Sequence, residues 1–170
     1  MRPSVFTPLI NMSDFAVRRA TLLDLERMRA LNIACLPENY GRVFWKQQFD
    51  LGAPHFVAYR CSTLLSQPMS RTIVGYIATL PTSLGNLMVY SLAVRPEVRG
   101  RGIGDQLLRT LCEEADAMGR DLVLHVRTDN AVAMGLYQKQ GFEVKEAVAH
   151  YYGDGCGANE MVRKKKNKSY

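Results

Sequence analysis

The sequence has no long hydrophobic run. Its most apolar stretches, residues 76–80 and 88–94, fall far short of the roughly 20 residues a helix needs to cross a bilayer, so no membrane span is expected. A secretory leader is also missing. The opening MRPSVFTPLI carries one arginine, Pro8 interrupts a very short apolar patch, and no small-residue cleavage site comes after it. Cysteine is sparse and scattered. Cys35, Cys61, Cys112 and Cys156 form no C-x-x-C pair, which argues against a zinc site and a secreted disulfide framework and for reduced thiols in the cytoplasm. No other metal-ligand pattern is visible.

The chain body also lacks net charge. The total of +6 rests on 22 basic and 16 acidic residues. Five of the basic ones, Arg163, Lys164, Lys165, Lys166 and Lys168, lie in the last eight positions. Without them 17 basic residues face 16 acidic ones, a net +1. The basic character is therefore a tail, expected to be solvated, and no specific nucleic-acid surface is implied. What remains is ordinary for a globular chain: 47% hydrophobic and 22% charged residues in 170 positions. One domain of that length can bury roughly 70% of its unfolded surface.

The pattern predicts a loose arm over residues 1–14, a domain over 15–163 and the basic tail over 164–170. A strand at 15–19 leads to a helix opened by Thr21 with Asp24 in a capping-box position. Its apolar face is Leu23, Leu25, Met28, Leu31, Ile33 and Ala34, and Pro37 ends it. A second short helix covers 42–49. Strands at 55–61 and 72–80 flank a polar loop with Ser66, Pro68 and Ser70. Residues 87–94 read as a central strand covered on both faces. A helix at 102–118 has a 3.6-residue stripe, a strand comes next at 122–127, and a helix at 129–140 ends at Gly141. Strands at 142–151 and 159–163 close the order β-α-α-β-β-β-α-β-α-β-β, an α/β (α+β) mixed sheet with helices on both faces.

The most informative segment is Val94-Arg95-Pro96-Glu97-Val98-Arg99-Gly100-Arg101-Gly102-Ile103-Gly104. A strand runs into alternate glycines, and these run into an amphipathic helix. Glycine removes Cβ and permits positive φ, so successive N–H groups can converge at a helix N-terminus, where the macrodipole also favours an anion. Arg99 and Arg101 add charge-assisted donors. The segment is a pyrophosphate cradle, its donors the amides from Arg99 to Gly104. It is not a dinucleotide fingerprint, because Asp105 stands at the last glycine position, and it lacks the G-K-[ST] of a Walker loop.

The R-x-x-G-x-G pattern of residues 99–104 resembles the acetyl-CoA loop of the GCN5-related (GNAT) acetyltransferase superfamily. Asn130 and Tyr137, seven residues apart on one helix face, resemble that superfamily's second cofactor helix, with an Asn on the pantetheine arm and a Tyr hydroxyl at the departing sulfur. Three further segments, Leu36-Pro37-Glu38-Asn39-Tyr40, His125-Val126-Arg127 and Tyr151-Tyr152-Gly153-Asp154-Gly155, together with Ser91-Leu92-Ala93-Val94, are similar to the catalytic subunits of NatA-type amino-terminal acetyltransferases. The likeness spans about residues 15–163. It departs at Cys156 and Gly157, where that family usually has Glu-Asp, and at Gly100, where it usually has arginine.

The resemblance implies a GNAT fold, with a mostly antiparallel sheet of six to seven strands flanked by about four helices, and acetyl-CoA as cosubstrate without a metal. It implies cofactor contacts from Leu92, Ala93, Val94, Arg99, Gly100, Arg101, Gly102, Ile103, Gly104, Asn130 and Tyr137. It also implies a peptide groove walled by Leu36, Pro37, Glu38, Tyr40, Arg127, Tyr151 and Tyr152. Strand amides near 92–94 are placed to polarise a thioester carbonyl. A peptide α-amine, with a pKa near 7.7–8.0, is roughly a tenth to a sixth neutral at pH 7, so one weak base suffices. Glu38, His125 or a water held by either is open for that role, and Tyr137 serves the thiolate. The expected acceptors are protein or nascent-chain N-termini starting with Ser, Ala or Thr. The expected partners are the ribosome and, as in the resembled family, a scaffold subunit on the first helices. Met28, Leu31 and Phe44 are open between core and that interface. A ribosomal-protein or small-molecule acetyltransferase and a non-catalytic CoA-binding module remain alternatives.

Overall fold

The computed structural model describes residues 14–61 and 72–166. The arm over 1–13, the loop with Ser66, Pro68 and Ser70, and the tail beyond 166 lie outside the described residues. Seven strands, β1 (Phe15–Arg19), β2 (Phe56–Arg60), β3 (Ile73–Pro81), β4 (Leu87–Val94), β5 (Leu122–Arg127), β6 (Glu143–Val148) and β7 (Ala158–Arg163), form one sheet in the order β1-β2-β3-β4-β5-β7-β6. The helices are α1 (Leu25–Cys35), α2 (Arg42–Asp50), α3 (Ile103–Ala117) and α4 (Ala131–Lys139). Among the described residues only β4 and β5 pair in parallel. The crossover between them is α3, as a parallel pair requires.

Two apolar layers sandwich the sheet. Leu25, Met28 and Leu31 of α1 and Trp45 of α2 pack on Val57, Ile73, Tyr76 and Ala93. On the opposite face Leu107, Leu108, Leu111, Cys112 and Ala115 of α3 pack on Phe15, Ala58, Val74 and Ile77. Gly75 permits that second contact, because a Cβ there would lie 3.1 Å from the Ala93 carbonyl and 3.2 Å from Leu107 Cδ1.

α1 starts as expected. Asp24 accepts from the Thr21 N–H at 2.9 Å and pairs with both terminal nitrogens of Arg18, although Leu22–Asp24 is a 3-10 turn before the α-helix proper. Its apolar face is narrower than the sequence implies. Leu23 and Ile33 are 90% and 61% exposed, Ala34 is also exposed, and Asn32 is buried instead. The 3.6-residue period from Met28 and Leu31 continues through Asn32 and Cys35, whereas Ile33 falls on the solvent side.

β4 carries an irregularity that shapes the sheet. Ala78 pairs with Ser91 and Thr79 with Val89, so Tyr90 is an extra residue, a β-bulge. One inserted residue reverses the inside-outside alternation. Leu87 and Val89 face the α3 layer, as do Leu92 and Val94, while Tyr90 and Ala93 join the α1–α2 layer. The bulge also bends the strand. Parallel pairing with β5 stops at Val89 and Leu124, and the two strand ends diverge.

The basic end is less free than a solvated tail. Arg163 is buried and makes a two-pronged pair with Asp116. The N–H groups of Lys165 and Lys166 are then taken by the carboxylates of Asp121 and Asp116, at 3.0 and 2.8 Å. Their side chains stay exposed, although Lys165 Nζ also donates to the Gly119 carbonyl at 3.0 Å.

Candidate active site

The divergence of β4 and β5 opens a cleft of about 960 Å3 at the carboxyl ends of these strands, where open α/β sheets place their ligand sites. At one end lies the glycine turn. Gly100 and Gly102 have φ of +72° and +74°, a left-handed backbone that a side-chain-bearing residue adopts only with strain. Gly102 caps α3, whose first closed turn runs from the Gln106 N–H to the Gly102 carbonyl. The N–H groups of Gly100, Gly102, Ile103 and Gly104 have no backbone acceptor among the described residues, and those inside α3 lie at the positive end of a fifteen-residue helix. The Arg99 amide is not among these donors. Arg99 spends its N–H on the Pro96 carbonyl and its Nε on the Val94 carbonyl, at 2.9 Å, so only its terminal guanidinium nitrogens remain for an anion. The donor set fits the pyrophosphate of a CoA thioester.

The strand edge supplies more donors. Arg95 gives its N–H to Val74 on β3. Alternation along β4 then turns the Ala93 amide to β3 and those of Leu92 and Val94 to the splayed edge. Cys35 Sγ lies 4.0 Å from the Val94 carbonyl, at the base of the cleft.

Across the cleft stands α4. Asn130 is its N-cap and accepts from the Ala133 N–H at 3.1 Å, so it precedes the helix proper rather than sharing a face of it with Tyr137. Both still line the cleft. Burial pushes the Tyr137 hydroxyl up to about 12, which keeps it protonated and able to donate at neutral pH.

The other end of the cleft is built from side chains. Leu36, Pro37, Glu38 and Tyr40 from the α1–α2 connection face His125, Arg127, Tyr151 and Tyr152. Arg127 joins the two walls. It reaches Glu38 at 3.4 Å, Asp129 at 3.5 Å and Asp154 at 2.5 Å, and its guanidinium lies 4.7 Å from the centre of the Tyr152 ring. The His125 ring stacks on Tyr151 at 4.6 Å and points Nε2 at Glu160, 3.5 Å away, while its Nδ1 is buried without a partner. Burial raises the Tyr40 hydroxyl, with Tyr151 and Glu38 adding to the effect.

The structure therefore gathers all the predicted site residues except Arg101, which is not on the cleft wall. Sequence reasoning missed the support beneath the loop. Asn32 Nδ2 donates to the Glu38 carbonyl at 3.2 Å and lies 3.5 Å from Ser91 Oγ, which bonds the Tyr76 hydroxyl at 2.6 Å. A polar residue at a core position of the α1 period was the available signal. Sequence reasoning also missed Tyr90. The Tyr40 and Phe44 rings meet it edge-on, each at 5.2 Å, and Trp45 does so at 5.4 Å. No motif marks a bulge.

An open mixed sheet with an anion cradle at a strand splay, facing a second groove, defines a group transferase with a phosphate-bearing donor. A model of the acetyltransferase (GNAT) family matches residues 25–142. An N-alpha-acetyltransferase from Saccharolobus solfataricus is 32% identical over 88% of this chain and 93% of its own length. The N-terminal acetyltransferase A complex catalytic subunit NAA10 of Arabidopsis thaliana is 29% identical over 89% and 79%. The crystal structure of Ard1 from Thermoplasma volcanium superposes with a TM-score of 0.75 at 22% identity, over 91% of this chain and 99% of that one. The chain belongs to the GNAT acetyltransferase family, and its mixed, mostly antiparallel seven-stranded sheet with four α-helices is the fold the motifs led us to expect.

Proposed function

We propose that this acetyltransferase moves an acetyl group from acetyl-CoA to the free α-amine of protein N-termini, with Ser, Ala or Thr as the favoured first residue. The observation that carries the reading is the continuity of the donor cradle with a groove walled by Leu36, Pro37, Tyr40, Tyr151 and Tyr152. Flat aromatic walls suit an extended peptide better than a small amine. The names borne by its relatives in Saccharolobus and Arabidopsis support the same acceptor.

Acetyl-CoA supplies an acetyl group activated as a thioester. Gly100, Gly102, Ile103 and Gly104 amides and Arg99 hold its pyrophosphate, and the Leu92 and Val94 amides polarise the carbonyl. Either Glu38 or His125 takes the proton of the incoming ammonium, directly or through a water it holds. Tyr137 keeps a proton at its hydroxyl for the departing sulfur. No nucleophilic serine or cysteine is needed, and Cys112, whose thiol burial pushes up to about 11, packs in the core.

The acceptors we infer are nascent chains on cytoplasmic ribosomes. Met28 and Leu31 are core and Phe44 lines the cleft, while Leu23, Ile33 and Val43 present the exposed apolar surface of the first helices on which a scaffold subunit would sit. Thiol release measured over a peptide panel tests the reading. Ser-, Ala- and Thr-start peptides should turn over fastest. A preference for a lysine side chain over any α-amine would sink it.

A further inference from the structure

We infer that Tyr90 sets the depth of the pocket for the acceptor's first side chain, a deduction that rests on the N-terminal acceptor reading. Tyr40, on the acceptor loop, does not stand on its own. Its ring stacks on Phe44 at 4.8 Å, and both rings meet Tyr90 edge-on at 5.2 Å. Trp45, fully buried, meets Tyr90 from below at 5.4 Å. Tyr90 is thus the piece between the cleft wall and the core.

It occupies that place because of the bulge. The extra residue puts Tyr90 and its neighbour Ser91 on the α1–α2 side of the sheet. Ser91 is then consumed in the Tyr76–Asn32 network that anchors the Glu38 carbonyl. Without the bulge, alternation would put Tyr90 and Ser91 on opposite faces.

The ring does this and the hydroxyl does not. Tyr90 Oη is closed off from solvent, so an acceptor seated in the cleft does not reach it. The ring, in contrast, lines the cleft together with Leu80 and Met88. Removing it would widen the cleft beside Tyr40 toward Leu80 and Met88, which line the same cavity, and a longer first side chain would find room. Pockets of this kind discriminate one methylene by about 10–200-fold.

The test is the ratio of kcat/KM for a Leu-start peptide to that for a Ser-start peptide of otherwise identical sequence. We expect Tyr90→Ala and Tyr90→Leu to raise the ratio, by tenfold or more for Ala and less for Leu, which refills part of the space and protects the fold. Tyr90→Phe keeps the ring and should leave the ratio within twofold of wild type. The proposal is overturned if the Leu variant, folded by circular dichroism and active on the Ser-start peptide, keeps the wild-type ratio, or if Tyr90→Phe shifts it as far as Ala does. Wild-type enzyme on the same peptides, beside one with a blocked α-amine and a free lysine, reports separately on the N-terminal reading. If only the lysine is acetylated, that reading fails before Tyr90 is in question.

Discussion

The two ends of the cleft are made of different materials. The donor end is backbone: two glycines at positive φ, a helix N-terminus and a strand edge that has parted from its neighbour. The acceptor end is side chain: one guanidinium among three carboxylates, a stack of aromatic rings and a loop tied down through Asn32. Backbone donors offer the same geometry whatever residues surround them. The acceptor end can be retuned residue by residue. A donor site common to a large family and an acceptor site particular to one chain are what this division would produce.

The contrast breaks most sharply at Gly102. Valine there must hold a φ near +74°, in a region where non-glycine residues carry about 1–3 kcal/mol of strain and β-branched ones are rarer still. The turn will relax and scatter its amides. Acetyl-CoA affinity by titration calorimetry should fall by about a hundredfold or more, with the circular dichroism spectrum retained.

Next in size is an acid effect beneath the acceptor side. Burial, aided by Arg19, pushes the His55 imidazole down to about 4. The ring accepts from the Thr79 N–H at 3.3 Å and lies 4.4 Å from Phe49 of α2. Since the folded pKa is below the ordinary 6.5, the folded state binds fewer protons between these values. The stability is therefore complete above pH 6.5 and is lost as pH falls toward 4, by about 3 kcal/mol. Melting curves should drop by roughly 6–12 °C across that window, and His55→Gln should flatten the slope.

The smallest effect sharpens the comparison from the other side. Arg127→Gln unlinks the two acceptor walls without touching the donor end. We expect the peptide KM to rise several-fold while the acetyl-CoA KM stays put, and wild-type peptide KM to climb with salt because these pairs are partly solvent-exposed. Equal changes in both KM values would show that the two ends are not separable.

Legibility in the chain divides along the same line. Backbone sites advertise themselves, because only glycine tolerates the turn at 100 and 102, and the amphipathic stripe of α3 fixes the helix behind it. The seven strands and four α-helices of the described residues were legible to within a few positions, mostly from apolar periodicity, though β6 is exposed along most of its length. The acceptor groove was visible only through likeness to a family, as nothing in the local pattern links Glu38 to Arg127 or Asp154. The bulge at Tyr90 was invisible, because the run Leu87–Val94 is apolar on both parities and hides a change of face. The pattern also assigns the Arg99 amide to the anion, whereas that N–H closes the Pro96 turn, a local bond that the glycines overshadow.

The clasp on Lys165 and Lys166 has a bearing on how the enzyme can be tethered. Asp116, which holds the Lys166 amide and Arg163, sits in the last turn of α3, and Gly102 caps the first. At about 1.5 Å of rise per residue, the helix sets the exit of the chain roughly 20 Å from the cradle. A tag, linker or polyanion engaged through the basic end would therefore hold the molecule by its back, leaving the mouth of the cleft turned outward to meet a passing N-terminus.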